Sequence, residues 1–72
     1  MDVDESVAIR VNGESRRVSP GLSVAEMLSA IGVDPAKVAV ERNRELVPRS
    51  LLGQVRLEDG DEFEIVHFVG GG

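Results

Sequence analysis

Cysteine, tryptophan and tyrosine are absent from this 72-residue chain, and phenylalanine occurs only at positions 63 and 68. Without cysteine there is no disulfide framework, no thiolate metal site and no cysteine nucleophile, so folding rests on packing alone and a reducing cytoplasm is the expected setting. Two aromatic rings give no stacking platform for single-stranded bases. Basic residues are also scarce, eight against thirteen acidic ones for a net charge of −5, and such a surface repels the phosphates of nucleic acid and of anionic lipid. Neither is an expected partner; a basic protein surface is. No apolar run approaches bilayer length, and Met1-Asp2-Val3-Asp4-Glu5 lacks the apolar stretch of a signal segment, so the chain is expected to be soluble, unprocessed and free of the membrane.

What is present fits one small domain, whose single core supplies only about 3–5 kcal/mol of net stability. Val7, Ile9 and Val11 alternate with Ala8 and Arg10 at the period of a half-buried strand, and Asn12-Gly13 follows as a hairpin turn into a polar edge strand, Glu14 to Val18. Ser23 and Glu26 form the S-x-x-E signature of a helix start, with Leu22 and Met27 at the flanking staple positions. Val24, Met27, Leu28 and Ile31 recur at i, i+3, i+4 and i+7, one apolar stripe, and Gly32 stands where a left-handed residue ends a helix. At this spacing the stripe reads as core packing and not as a ligand site.

Asp34-Pro35 predicts a capped short turn leading to a third strand around Val38 and Val40; Asn43-Arg44 predicts a turn into a short fourth strand, Glu45 to Val47. Arg49 to Val55 reads as an irregular or 3₁₀ connection that buries both Leu51 and Leu52, and Glu58-Asp59-Gly60-Asp61 turns the chain again. The last strand begins near Glu62, with Phe63 and Ile65 on one face and Glu64, Val66 and Phe68 on the other. One helix stripe and one sheet face make a two-layer α+β domain, a mixed sheet of four to five strands packed on one helix. Pairing the first and last strands in parallel would place the last strand in the sheet interior, leaving Val66 and Phe68 on the side away from the helix. In a chain this short nothing remains to cover that side, so Val66, Phe68 and the adjoining Val69 are candidate partner-contact residues.

The chain ends Gly70-Gly71-Gly72, a carboxylate on a stalk without side chains. Such a stalk follows a narrow channel into another protein's active site, because no Cβ blocks its approach and φ of either sign is open. A glycine run also serves as a plain linker. No paired carboxylates, Ser/His/Asp set or metal-ligand cluster stands out, so the domain is expected to be a substrate or carrier and not an enzyme. His67, the lone histidine, reads as an ordinary surface or core residue, and Arg42, Arg44 and Arg49, interleaved with Glu41 and Glu45, read as a solvated mixed face.

Taken in order, the hairpin Val11 to Glu14, the segment Gly21 to Leu28, the run Val38 to Asn43 leading to Val47-Pro48-Arg49, Asp59-Gly60-Asp61 and the ending Ile65 to Gly72 resemble the ThiS-type sulfur carriers of thiamine biosynthesis. The resemblance covers nearly all the chain from Val7. It implies a ubiquitin-like β-grasp fold over residues 7–69, a disordered segment 1–6 and a flexible glycine tail 70–72. It further implies that the Gly72 carboxylate is adenylated by an E1-like enzyme using ATP and then converted to a thiocarboxylate, with Gly71 its required neighbour and Gly70 part of the tail. The sulfur would come from a donor such as a cysteine desulfurase system and pass to thiazole synthase, with no cofactor bound to the carrier itself. Two departures stand out: three terminal glycines in place of two, and Asn43-Arg44 where the family often has Asn-Gly. The alternatives are the small-subunit carrier of molybdopterin synthase and a ubiquitin-like interaction or modifier domain.

Overall fold

Asn12 and Gly13 both take positive φ, +49° and +84°, the geometry of a type I′ turn, and they close a hairpin between β1 (Val7–Val11) and β2 (Glu14–Val18). The computed structural model describes residues 5–68. The expectations for residues 1–4, Val69 and the tail Gly70, Gly71 and Gly72 lie outside the described residues.

The single α-helix among the described residues, α1 (Val24–Ala30), is closed at both ends by local chemistry. At its start the Ser23 hydroxyl accepts from the Glu26 N–H at 3.1 Å and the Glu26 carboxylate accepts from the Ser23 N–H at 3.0 Å. The remaining free amides of the first turn are satisfied from outside: Val24 donates to the Val55 carbonyl at 2.9 Å and Ala25 to that of Leu52 at 2.8 Å. At its end Gly32, at φ +85°, donates to Ser29 and Val33 donates to Leu28, the paired bonds of a Schellman motif. Val24, Met27 and Leu28 are fully buried, as the stripe predicts, while Ile31 is partly buried against them.

After α1, Asp34 accepts from the Ala36 N–H and caps a 3₁₀ turn, Pro35–Lys37, which feeds β3 (Val38–Arg42). Asn43 and Arg44, at φ +50° and +71°, turn the chain into β4 (Glu45–Leu46), so Arg44 holds the left-handed position that glycine fills without strain. A second 3₁₀ turn, Arg49–Leu51, leads through the loop beside α1 to β5 (Glu62–His67). The five strands form one mixed sheet in the order β2-β1-β5-β3-β4, with β1 and β5 parallel and the other pairs antiparallel. This is the ubiquitin-like β-grasp arrangement, with β5 in the interior.

The core lies between the helix stripe and the sheet face that carries Ile9, Val11, Val38, Val40, Phe63 and Ile65. Leu52, Val47 and Leu57 close its open side. One expectation is corrected here: Leu52 is buried but Leu51 is 39% exposed. Successive residues of a 3₁₀ turn point about 120° apart, so both leucines cannot face the same core.

Candidate docking face at the carboxyl-terminal strand

β5 presents the two faces expected of it. Phe63 and Ile65 point into the core, whereas Val66 is 63% and Phe68 55% exposed on the side away from α1. The strand register shows what lies beside them. Glu41 of β3 is opposite both Glu64 of β5 and Leu46 of β4, and Ala39 is opposite Val66, so residues of three strands share this outer face. Leu46, at 66% exposure, is therefore a third apolar member of the patch. Sequence reading missed it because a two-residue strand has no period of its own; only its pairing with Glu41 assigns the face. Exposed Glu41, Glu62 and Glu64 stand on the same face, and exposed Arg10 and Arg17 join them from β1 and β2, so its charge is mixed. His67 is exposed, as a surface residue.

The main chain at the end of β5 is set by two devices. On the β3 side the Phe68 N–H donates to the Lys37 carbonyl at 3.0 Å. On the β1 side β1 itself pairs only as far as Val11 with Phe63, and beyond it the Asn12 side chain continues the ladder: its Oδ1 accepts from the Ile65 N–H at 2.8 Å and its Nδ2 donates to the Ile65 carbonyl at 3.3 Å. The same hairpin residue thus makes the turn and pairs with the strand that leads to the tail.

Arg44 and Arg49 are exposed, as are Glu41 and Glu45, as the solvated mixed face predicts, but Arg42 is partly buried. Arg42 turns to the 58–61 turn, where its Nε donates to Asp61 at 2.9 Å and its Nη2 to Glu58 at 3.2 Å. Asp61 is 4% exposed and also accepts from Asn43 Nδ2 and from the Glu58 N–H, so its charge is held by three donors. Arg49 places its guanidinium carbon 5.3 Å from the centre of the Phe68 ring and donates from Nη1 to the Ala36 carbonyl at 2.7 Å. A shallow groove runs beside this contact, lined in part by Ala39, Leu46, Pro48, Arg49 and Phe68. Among the described residues no group of three His, Asp or Glu side chains converges as a metal site, and no helix is long and apolar enough to cross a membrane.

The exposed apolar patch thus lies on the strand that leads to the glycine end. The ThiS family model matches residues 9–72. The chain belongs to the ThiS family.

Its relatives include a sulfur carrier and larger thiazole synthases. The sulfur carrier protein ThiS of Bacillus subtilis is 40% identical over 50 residues, covering 69% of this chain and 76% of that protein. A thiazole synthase of Paramagnetospirillum magneticum is 53% identical over 62 residues, covering 86% of this chain but 19% of that protein. The chain thus spans about a fifth of the length of the thiazole synthases it matches. Among solved structures, the thiamine biosynthesis protein ThiS of Geobacter metallireducens superposes with a TM-score of 0.77 at 35% identity, covering 92% of this chain and 100% of that one. ThiS membership agrees with the Asn43-Arg44 turn as observed, since both residues take the positive φ that Asn-Gly would take.

Proposed function

We propose that this protein is a sulfur carrier for thiamine biosynthesis whose working group is the Gly72 carboxylate. The observation that carries this reading is the family match, which runs through Gly72. A carboxylate is a poor electrophile. Its oxygen attacks the α-phosphorus of ATP, pyrophosphate leaves, and the resulting acyl adenylate has AMP as a good leaving group. A hydrosulfide-level nucleophile then adds to the acyl carbon, AMP departs, and the terminus becomes a thiocarboxylate. The carrier supplies no catalytic side chain and binds no cofactor; ATP is consumed by an E1-like activating partner.

Gly70 and Gly71 let the end pass through a channel too narrow for side chains. Val66 and Phe68, with Leu46 beside them and Val69 following, form the surface that meets the activating enzyme and, at the later step, thiazole synthase. One observation supports that partnership: thiazole synthases carry a segment similar to this chain, a union that raises the effective concentration of carrier and acceptor. With a cysteine desulfurase system in the cytoplasm as donor, the outer sulfur of its persulfide would add to the acyl carbon as AMP departs, and a thiol reductant would cleave the resulting acyl disulfide to release the thiocarboxylate.

Intact mass after incubation with the activating enzyme, ATP and a sulfide source tests the proposal. One oxygen-to-sulfur exchange at the terminus, absent when Gly72 is deleted, is the expected result. Amide adducts to lysine would instead establish a modifier, and sulfur transfer to a pterin precursor but not to thiazole synthase would establish a carrier of the other pathway.

A further inference from the structure

We infer that Arg49 is a positioning residue for the carrier end, holding the Phe68 ring in the orientation that the docking partner meets beside the tail. The inference rests on the reading of Gly72 as the reactive group, and extends it to a residue that never reaches the reacting atoms.

Phe68 is more than half exposed, so burial alone does not fix its ring. Its backbone is tied to the Lys37 carbonyl, and its ring lies under the guanidinium of Arg49. That guanidinium is itself oriented by the Ala36 carbonyl. Both carbonyls belong to the Pro35–Lys37 turn, which Asp34 caps, so one rigid turn holds the backbone of Phe68 and the side chain that covers it.

Arg49 stands on an equally firm mount. Its carbonyl accepts from the N–H of Leu52, a buried residue whose own carbonyl accepts from Ala25 in the first turn of α1. Among the described residues no carboxylate lies within ion-pair distance of Arg49, although acidic side chains outnumber basic ones. Its charge faces a carbonyl and an aromatic ring, which is the arrangement of a clamp and not of a surface ion pair.

Phe68 is the last described residue before the tail, so the patch that carries it is the part of the domain nearest the reactive end. An exposed cation–π contact biases a ring's rotamer population by about two- to fivefold. The same factor is the expected effect on productive entry of the tail, because the patch and the tail must engage one partner together.

The test uses the full chain with Arg49→Met, which keeps the stem and removes the guanidinium, Arg49→Lys, and Arg16→Met as a charge-matched control on the distant strand β2. By NMR, Arg49→Met should average the Phe68 χ1 couplings and speed exchange of the Phe68 amide about two- to fivefold, leaving the Ile9 and Val40 amides unchanged. In steady-state adenylation it should lower kcat/KM by a similar factor, about two- to fivefold, through KM, with Arg49→Lys intermediate and Arg16→Met like the native chain. An unchanged Phe68 rotamer, a general loss of core protection, or an equal loss in Arg16→Met overturns the inference. Failure of the native chain to be adenylated at all refutes the reading of Gly72 instead, and the NMR comparison still decides whether Arg49 holds Phe68.

Discussion

The side chain of Asn12 and the backbone of Ile65 exchange two hydrogen bonds, at 2.8 and 3.3 Å, across a separation of 53 residues. The amide stands in for a strand residue that β1 lacks, and it does so from a turn position at φ +49° that few side chains tolerate. Replacing Asn12 with Gly should cost about 1–2 kcal/mol for the lost bonds. Asn12→Ala should cost about 1 kcal/mol more, because alanine is also strained at positive φ. Urea denaturation of the two variants measures both terms, and equal stability would show that the turn conformation carries no cost.

Asp61 is the polar centre that joins the start of β5 to the end of β3. Three donors hold its buried carboxylate, and Arg42 is the charged one. Asp61→Ala would leave Arg42 and Asn43 facing an apolar methyl, and a loss of about 2–4 kcal/mol is expected. Thermal unfolding reads it directly; a change below about 0.5 kcal/mol would place the cluster among ordinary surface pairs.

Arg44 offers the opposite case. Its left-handed backbone costs about 1–2 kcal/mol relative to a relaxed residue, against roughly 0.5–1 kcal/mol of extra unfolded-state entropy for glycine. Arg44→Gly should therefore raise stability by up to about 1 kcal/mol. A lower melting temperature in that variant would mean that the Arg44 side chain makes a contribution larger than the strain.

The Glu26 carboxyl is held below its ordinary pKa, chiefly by the Ser23 backbone N–H and then by the Ser23 hydroxyl, with desolvation opposing them and the Arg56 guanidinium adding the smallest contribution. A lowered folded-state pKa stabilises the fold above the unfolded pKa, and that contribution is lost as the pH falls through the folded value. Glu26→Gln keeps an acceptor for the capping box but removes the titration. The stability difference between the native chain and this variant should be greatest near neutral pH and shrink on acidification from about pH 5 to about pH 3. A difference independent of pH would remove the ionised form from the account of the helix cap.

The outer face predicts a separation of binding from folding. Val66 and Leu46 are both largely exposed, so Val66→Glu or Leu46→Glu should change the melting temperature little, since exposed substitutions usually lie within about 0.5 kcal/mol. Each should weaken binding to the activating enzyme at least about tenfold, by placing a charge in a desolvated contact. Calorimetric titration beside a melting curve checks the pair, and full affinity in both variants would move the docking surface elsewhere.

Where one residue's chemistry met only its near neighbours, the sequence was already decisive. Asn12-Gly13, the Ser23 and Glu26 box, the stripe from Val24 to Ile31, Gly32 and the alternation of Phe63 to Phe68 each state a local rule of period, cap or turn, and each is found in place. Tertiary structure alone decided the rest. It turned Arg42 toward Asp61, 19 residues away, put Leu46 beside Glu41, laid Arg49 on Phe68 and left Leu51 outside the core. The physical reason is that periodicity says which side of its own element a residue takes, while partners distant along the chain are chosen by strand order and register. Those belong to no single segment and exist only once the sheet has closed around β5.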